Sequence, residues 1–161
     1  MFGFFRQRRR HRLRSAPFPD AWRAILVKNV PLYQKLTPAV RVELEGHVQV
    51  LLAEKHFEGC GGLILTDEIR VTIAGTAALL LLGREPHYFP PLISILVYPS
   101  SYVARDEERE GAVVTESEDE RLGESWRRGV IVLAWDSARS GASVVGDGDN
   151  VILHEFAHQL D

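Results

Sequence analysis

Residues Asn150–Asp161 read NVILHEFAHQLD, and the spacing inside this stretch decides how the whole chain is interpreted. On an α-helix successive side chains advance by about 100°. With His154 at the origin, His158 falls at about 40°, one turn along on the same face, and Glu155 at about 100°, beside the two imidazoles. Ile152, Leu153, Phe156 and Leu160 fall at about 160–260°, on the opposite side. One face therefore suits a core, and the other presents two imidazoles to a cleft. Asp147, Asp149 and Asn150 stand just upstream and offer N-cap side chains.

This arrangement fits metal-assisted hydrolysis. Two imidazoles one turn apart can each bind zinc at about 2.0–2.1 Å. A carboxylate next to the first of them can take a proton from an attacking water and later return it, as general base and then general acid. His154 and His158 are accordingly the candidate metal ligands and Glu155 the candidate catalytic residue. The alternative reading is a surface helix whose histidines merely face solvent. Asp161, three residues after His158 on the same face, suits an acceptor that orients that imidazole better than a ligand, because its side chain is short. His11, His47, His56 and His87 read as surface or hydrogen-bonded residues. Tyr98 and Tyr102 read as strand-edge residues rather than oxyanion donors.

Upstream, VIVLAW at Val130–Trp135 and ISILVY at Ile93–Tyr98 are apolar runs bounded by turn residues and predict two strands. Between them, Asp106–Glu120 carries eight acids against one arginine, the pattern of a solvated loop. Thr66 predicts the N-cap of a buried helix over Asp67–Leu82, with acids in its first turn and Gly83 at its end. Its apolar run is too short to span a bilayer. Glu58–Gly62 reads as a turn, not a phosphate loop, because no Lys-Ser/Thr follows the glycines. Thr37 and Pro38 predict another N-cap and first helical position, with Val40, Leu44, Val48, Leu51 and Leu52 as its core face to about Lys55. A shorter helix through Trp22, Ile25 and Leu26 is expected to end near Pro31.

The N-terminus differs in kind. Six arginines and no acid occupy the first fourteen residues; the remaining 13 basic residues face 22 acids, a net charge of about −9 for residues 15–161. Residues 1–17 read as a disordered, solvated basic arm, with contact to anionic lipid or nucleic acid as the functional alternatives, and residues 18–161 as the folded domain. The charges follow a five-residue apolar start, the wrong order for a secretory signal. A hydrophobic content of 45% and a charged content of 25% are those of a globular protein. The lone cysteine, Cys60, can form no internal disulfide, which points to a reducing cytoplasm.

Taken together, MFGFFR, PFPDAW, FEGCGGLILTDEIRVTIA, SILVYPSSYV, SWRRGVIVLAWD and NVILHEFAHQLD resemble, in order, the Mlc titration factor A (MtfA) family of bacterial zinc-dependent peptidases. The resemblance implies an α+β, zincin-like metallopeptidase fold: N-terminal helices, a small sheet, and the HExxH helix at the C-terminal end of this chain. It also implies a cytoplasmic enzyme of aminopeptidase-like activity on peptide or protein substrates. His154 and His158 would bind zinc and Glu155 would be catalytic. The family name refers to sequestering a transcriptional repressor, so a non-catalytic repressor-binding module is the alternative; no direct nucleic-acid contact is expected. In the family the third zinc ligand is a glutamate on a later helix. This chain has no matching residue, so the expectation is an N-terminal portion of the fold with an incomplete site.

Overall fold

The structure, a computed structural model, describes residues 2–103, 129–143 and 150–160. In chain order the elements are helices α1 (Phe2–Ser15), α2 (Asp20–Asn29), α3 (Pro31–Lys35) and α4 (Pro38–Glu54), strand β1 (His56–Gly59), helix α5 (Asp67–Ala78) with a 3-10 turn at Leu79–Leu81, strands β2 (Ser94–Tyr98) and β3 (Val130–Ala134), and helices α6 (Trp135–Ser143) and α7 (Val151–His158). The architecture is α+β. The acidic run 106–120, Asp147, Asp149 and Asp161 lie outside the described residues.

Both threonine caps form. The Thr37 hydroxyl accepts from Val40 N–H and that of Thr66 from Ile69 N–H, each at 3.3 Å. The helix after Thr66 ends four residues earlier than expected, at Ala78, and tightens into the 3-10 turn before Gly83 turns the chain at φ 71°. Pro31 does not simply end α2 but opens α3, at the helical position where its missing N–H costs nothing.

The sheet is parallel, in the order β1-β2-β3. Ile95 and Val97 of β2 pair with Ile131 and Leu133 of β3, and all four are buried, so alternate positions build apolar rows across one face. Phe57 and Gly59 of β1 extend the same rows. β1 was not legible as a strand: the glycines around Cys60 read only as a turn, yet the pairing begins three residues before them. Gly59 is required because the chain doubles back; a Cβ there would lie 2.1 Å from the Leu63 carbonyl oxygen. The other expected strand stops at Ala134, and Trp135 starts α6 instead.

Helix α5 is the centre of the packing. Every residue from Val71 to Ala78 is buried, because α2, α4, α6 and α7 all pack around it. Small side chains make this possible: a Cβ on Gly75 would lie 2.3 Å from Leu26 Cδ2 of α2. Its two interior hydroxyls are satisfied. Asn29 Nδ2 donates to Thr72 Oγ1 at 2.9 Å, and Thr76 Oγ1 donates to the Thr72 carbonyl at 2.8 Å.

The expectation of a disordered arm is corrected. Phe2–Ser15 form α1, which packs on α4. Arg10 is 7% exposed, and its Nε and Nη2 donate to the two Glu54 carboxylate oxygens at 2.7 and 2.8 Å. The same guanidinium sits 4.8 Å from the Tyr88 ring centroid, while Arg14 donates to the Tyr88 hydroxyl at 3.2 Å. Gly46 lets the helices approach: a Cβ there would lie 3.2 Å from Arg14 Cβ. An arginine-rich stretch with no apolar stripe looks solvated in isolation; here its partners sit on elements far along the chain.

Just after α4, Lys55 is buried and donates through Nζ to the carbonyls of Phe89 and Leu92, at 2.9 and 2.8 Å. Burial pushes its pKa down to about 8, against the opposing pull of Glu54.

Arg10→Ala leaves Glu54 without its bidentate partner and should cost about 2–3 kcal/mol in urea unfolding; stability within experimental error of the parent would show that α1 is not anchored there. An unfolded lysine, with a pKa near 10.5, holds its proton to higher pH than folded Lys55 does. The unfolded state therefore binds more protons above pH 8, and this residue adds stability as pH rises through 8 toward 10. Lys55→Met should lack that component when unfolding free energies at pH 7 and pH 9.5 are compared with the parent's.

Candidate metal centre

Asn150 fixes where α7 begins. Its Oδ1 accepts from Leu153 N–H at 3.0 Å, and its carbonyl accepts the first helical bond, from His154 N–H, at 3.0 Å. The helix then runs through the histidines as far as His158.

Its two sides separate as the spacing predicts. Ile152 and Phe156 are buried, facing α5, α6 and β3. Phe156 meets Phe89 edge-on, with ring centroids 5.0 Å apart and planes at 69°. Leu153 is half-buried, whereas Leu160, expected on the core face, is 38% exposed because it lies past the last helical residue.

On the other side, His154 and His158 are exposed. Their Nε2 atoms are 3.2 Å apart, and the rings meet at 83° with centroids 4.6 Å apart. Two nitrogens that each lie 2.0–2.1 Å from a tetrahedral ion are about 3.3 Å from one another. The Nε2 separation is close to the one a shared tetrahedral ion would require, and two imidazoles are a suitable part of a donor set for such a metal. A neutral pair could also share one N–H···N hydrogen bond at this distance. Glu155 is half-buried beside them and makes no hydrogen bond or ion pair with another described residue. No cluster of three or more His, Cys, Asp or Glu side chains suited to a metal occurs among the described residues, so a third ligand is not found there.

The other histidines stay apart from this point. His47 is buried in α4, with Nδ1 2.7 Å from the Tyr88 hydroxyl and Nε2 3.4 Å from Glu43; burial lowers its pKa despite that carboxylate. His11, His56 and His87 are exposed. Tyr98 closes β2, and Tyr102 is 73% exposed. What the sequence did not reveal is the support beneath the site: Phe89 lies in an irregular, proline-flanked segment, and no periodicity links it to Phe156.

The sequence model of the glucose-regulated metallo-peptidase M90 family matches residues 5–161. The chain belongs to this family. It is 43% identical over 155 residues to the uncharacterized protein slr2042 of Synechocystis sp., which covers 95% of this chain and 56% of that protein. It is 31% identical over 134 residues to proteins named Mlc titration factor A from Yersinia pestis and Yersinia pseudotuberculosis, covering 83% of this chain and 49% of theirs. The chain therefore spans about half the length of the curated relatives it matches. The family suggests a metallopeptidase-like function, and with it a metal cofactor. No helix of the described residues is long and apolar enough to cross a membrane.

The aromatic contact beneath the histidines can be tested by truncation. Phe156→Ala should cost about 3–5 kcal/mol, and Phe89→Ala a similar amount. Because the rings share one contact, the double variant should lose less than the sum. Strict additivity in denaturant unfolding would mean that the rings do not support one another.

Proposed function

We propose that this chain carries the metal-binding half of a zinc-dependent peptidase of zincin-like fold, acting in the cytoplasm with aminopeptidase-like specificity. The observation that carries the reading is the 3.2 Å separation of His154 Nε2 and His158 Nε2 on the exposed side of a helix whose other side is locked into the core. His154 and His158 would hold the zinc. When bound, zinc supplies a Lewis acid that polarises the scissile carbonyl and makes a water more acidic. Glu155 accepts the proton from the attacking water and delivers it to the departing amine. Among the described residues, β3 lies at one edge of the three-stranded sheet, and it contacts α7. It is the strand along which a peptide backbone would align. A third protein ligand, ordinarily present in such sites, would come from outside the described residues.

A second reading is favoured by a specific finding, the name Mlc titration factor A carried by the Yersinia relatives. In that reading the protein sequesters a transcriptional repressor and hydrolysis is secondary. Zinc content and peptide turnover distinguish the two.

The test uses this chain and a chimera in which it is continued by the remaining half of its Synechocystis relative. Glu155→Gln should keep stoichiometric zinc while losing aminopeptidase turnover by about 10² or more. His154→Ala and His158→Ala should lose zinc. Turnover unchanged in the glutamine variant would remove Glu155 as the base, and full zinc in both alanine variants would remove the ligands. Tight zinc and repressor binding without turnover in the chimera would favour the second reading.

A further inference from the structure

Beside α1 lies a hollow that shares no lining residue with those assigned to hydrolysis. A cleft of about 510 Å³ opens between α1, the end of α4 and the segment Pro90–Ile93. That volume is within the range of small-ligand pockets. Arg6, Arg9, Arg10 and Lys55 line it, with Glu54 as the one acid in its wall.

These charges do not balance. Glu54 is already engaged by both hydrogen bonds from Arg10. Arg6 and Arg9 are exposed and make no hydrogen bond or ion pair with another described residue. Lys55 has given two N–H groups to carbonyls, and an ammonium has three. Burial above all, and then the neighbouring charges of Arg10 and Arg6, disfavour its protonated form, against the pull of Glu54. A folded protein with a net charge of −3 thus gathers cations around one hollow, where they repel one another until an anion enters.

The same wall is partly apolar. Phe5 is 61% exposed and Ile93 is 67% exposed, and both line the cleft. Exposed large apolar side chains beside unpaired guanidinium groups match a ligand with an anionic head and a carbon body. Phosphate suits the head better than a carboxylate. It offers one or two charges and oxygens arranged tetrahedrally around phosphorus, whereas a carboxylate offers two oxygens in one plane. The cations here come from two turns of α1 and from the end of α4, and so approach from different sides.

We propose that this cleft binds a phosphate-bearing ligand, with its oxyanion among Arg6, Arg9 and Lys55 and its apolar part against Phe5 and Ile93. The ligand can be a soluble organic phosphate or the headgroup of an anionic phospholipid; the recognition chemistry is the same.

The experiment compares the parent with two charge-reversed double variants. Arg6→Glu with Arg9→Glu alters the cleft; Arg8→Glu with Arg12→Glu reverses the same number of charges on α1 residues that do not line it. Phenyl phosphate, tested by titration calorimetry beside inorganic phosphate, probes a soluble ligand. Co-sedimentation with phosphatidylglycerol vesicles, against phosphatidylcholine vesicles, probes a membrane surface. At least one of these probes should bind the parent, weaken by about tenfold or more in the cleft variant, and change by less than about threefold in the control. Lys55→Met should weaken the same probe. Phenyl phosphate as the responding probe identifies a soluble ligand, and phosphatidylglycerol identifies a lipid. Binding of neither probe, or equal losses in the two double variants, would overturn the proposal. Melting curves of all variants separate lost binding from lost folding.

Discussion

Helix α5 has no side that reaches water from Val71 to Ala78, and the rest of the structure is arranged to satisfy that condition. A helix buried all round needs apolar partners in every direction, and it needs side chains small enough to admit them. Ala74, Gly75, Ala77 and Ala78 supply the second requirement; α2, α4, α6 and α7 supply the first. This explains the orientation of the histidine helix. α7 can meet α5 only through its apolar side, Ile152 and Phe156, and the geometry of a helix then turns His154 and His158 outward. The polarity of the site is a consequence of the packing behind it. A polar residue at position 152 or 156 would disturb the imidazoles without touching them.

The sequence was most legible where one residue type has one local use. The threonine and asparagine caps and the two-faced helix of the HExxH motif depend on neighbours within four positions, and each of these was foreseeable. The strands β2 and β3 were legible to within one residue at each end, because proline and glycine bound their apolar runs. Legibility failed wherever the deciding partner is remote. β1 is a four-residue strand whose pairing with β2 has no local signature. Helix α1 offers no apolar stripe, and its order depends on Glu54, 44 residues away, and on Tyr88. At the site itself, spacing singles out the two candidate ligands and the candidate base. The aromatic floor under them, contributed by Phe89, was not.

That floor joins the two ends of the chain. Tyr88 and Phe89 are consecutive, fully buried, and both left-handed, at φ 55° and 52°. Side chains other than glycine rarely adopt this conformation, and each instance costs on the order of 1–3 kcal/mol unless the surroundings impose it. Here they do. The Tyr88 hydroxyl is held by His47 and Arg14, and its ring lies beneath Arg10. The Phe89 carbonyl accepts from Lys55, and its ring stands against Phe156. One strained dipeptide therefore sends a polar side chain toward the arginine helix and an apolar one toward the histidine helix. Relaxing either backbone angle would redirect at least one of the two rings. The contact from α1 through Tyr88 and Phe89 to Phe156 is consequently continuous, and it ends two residues from both His154 and His158. An arginine helix that looked like a solvated tail is in this way part of what fixes the position of the candidate metal ligands.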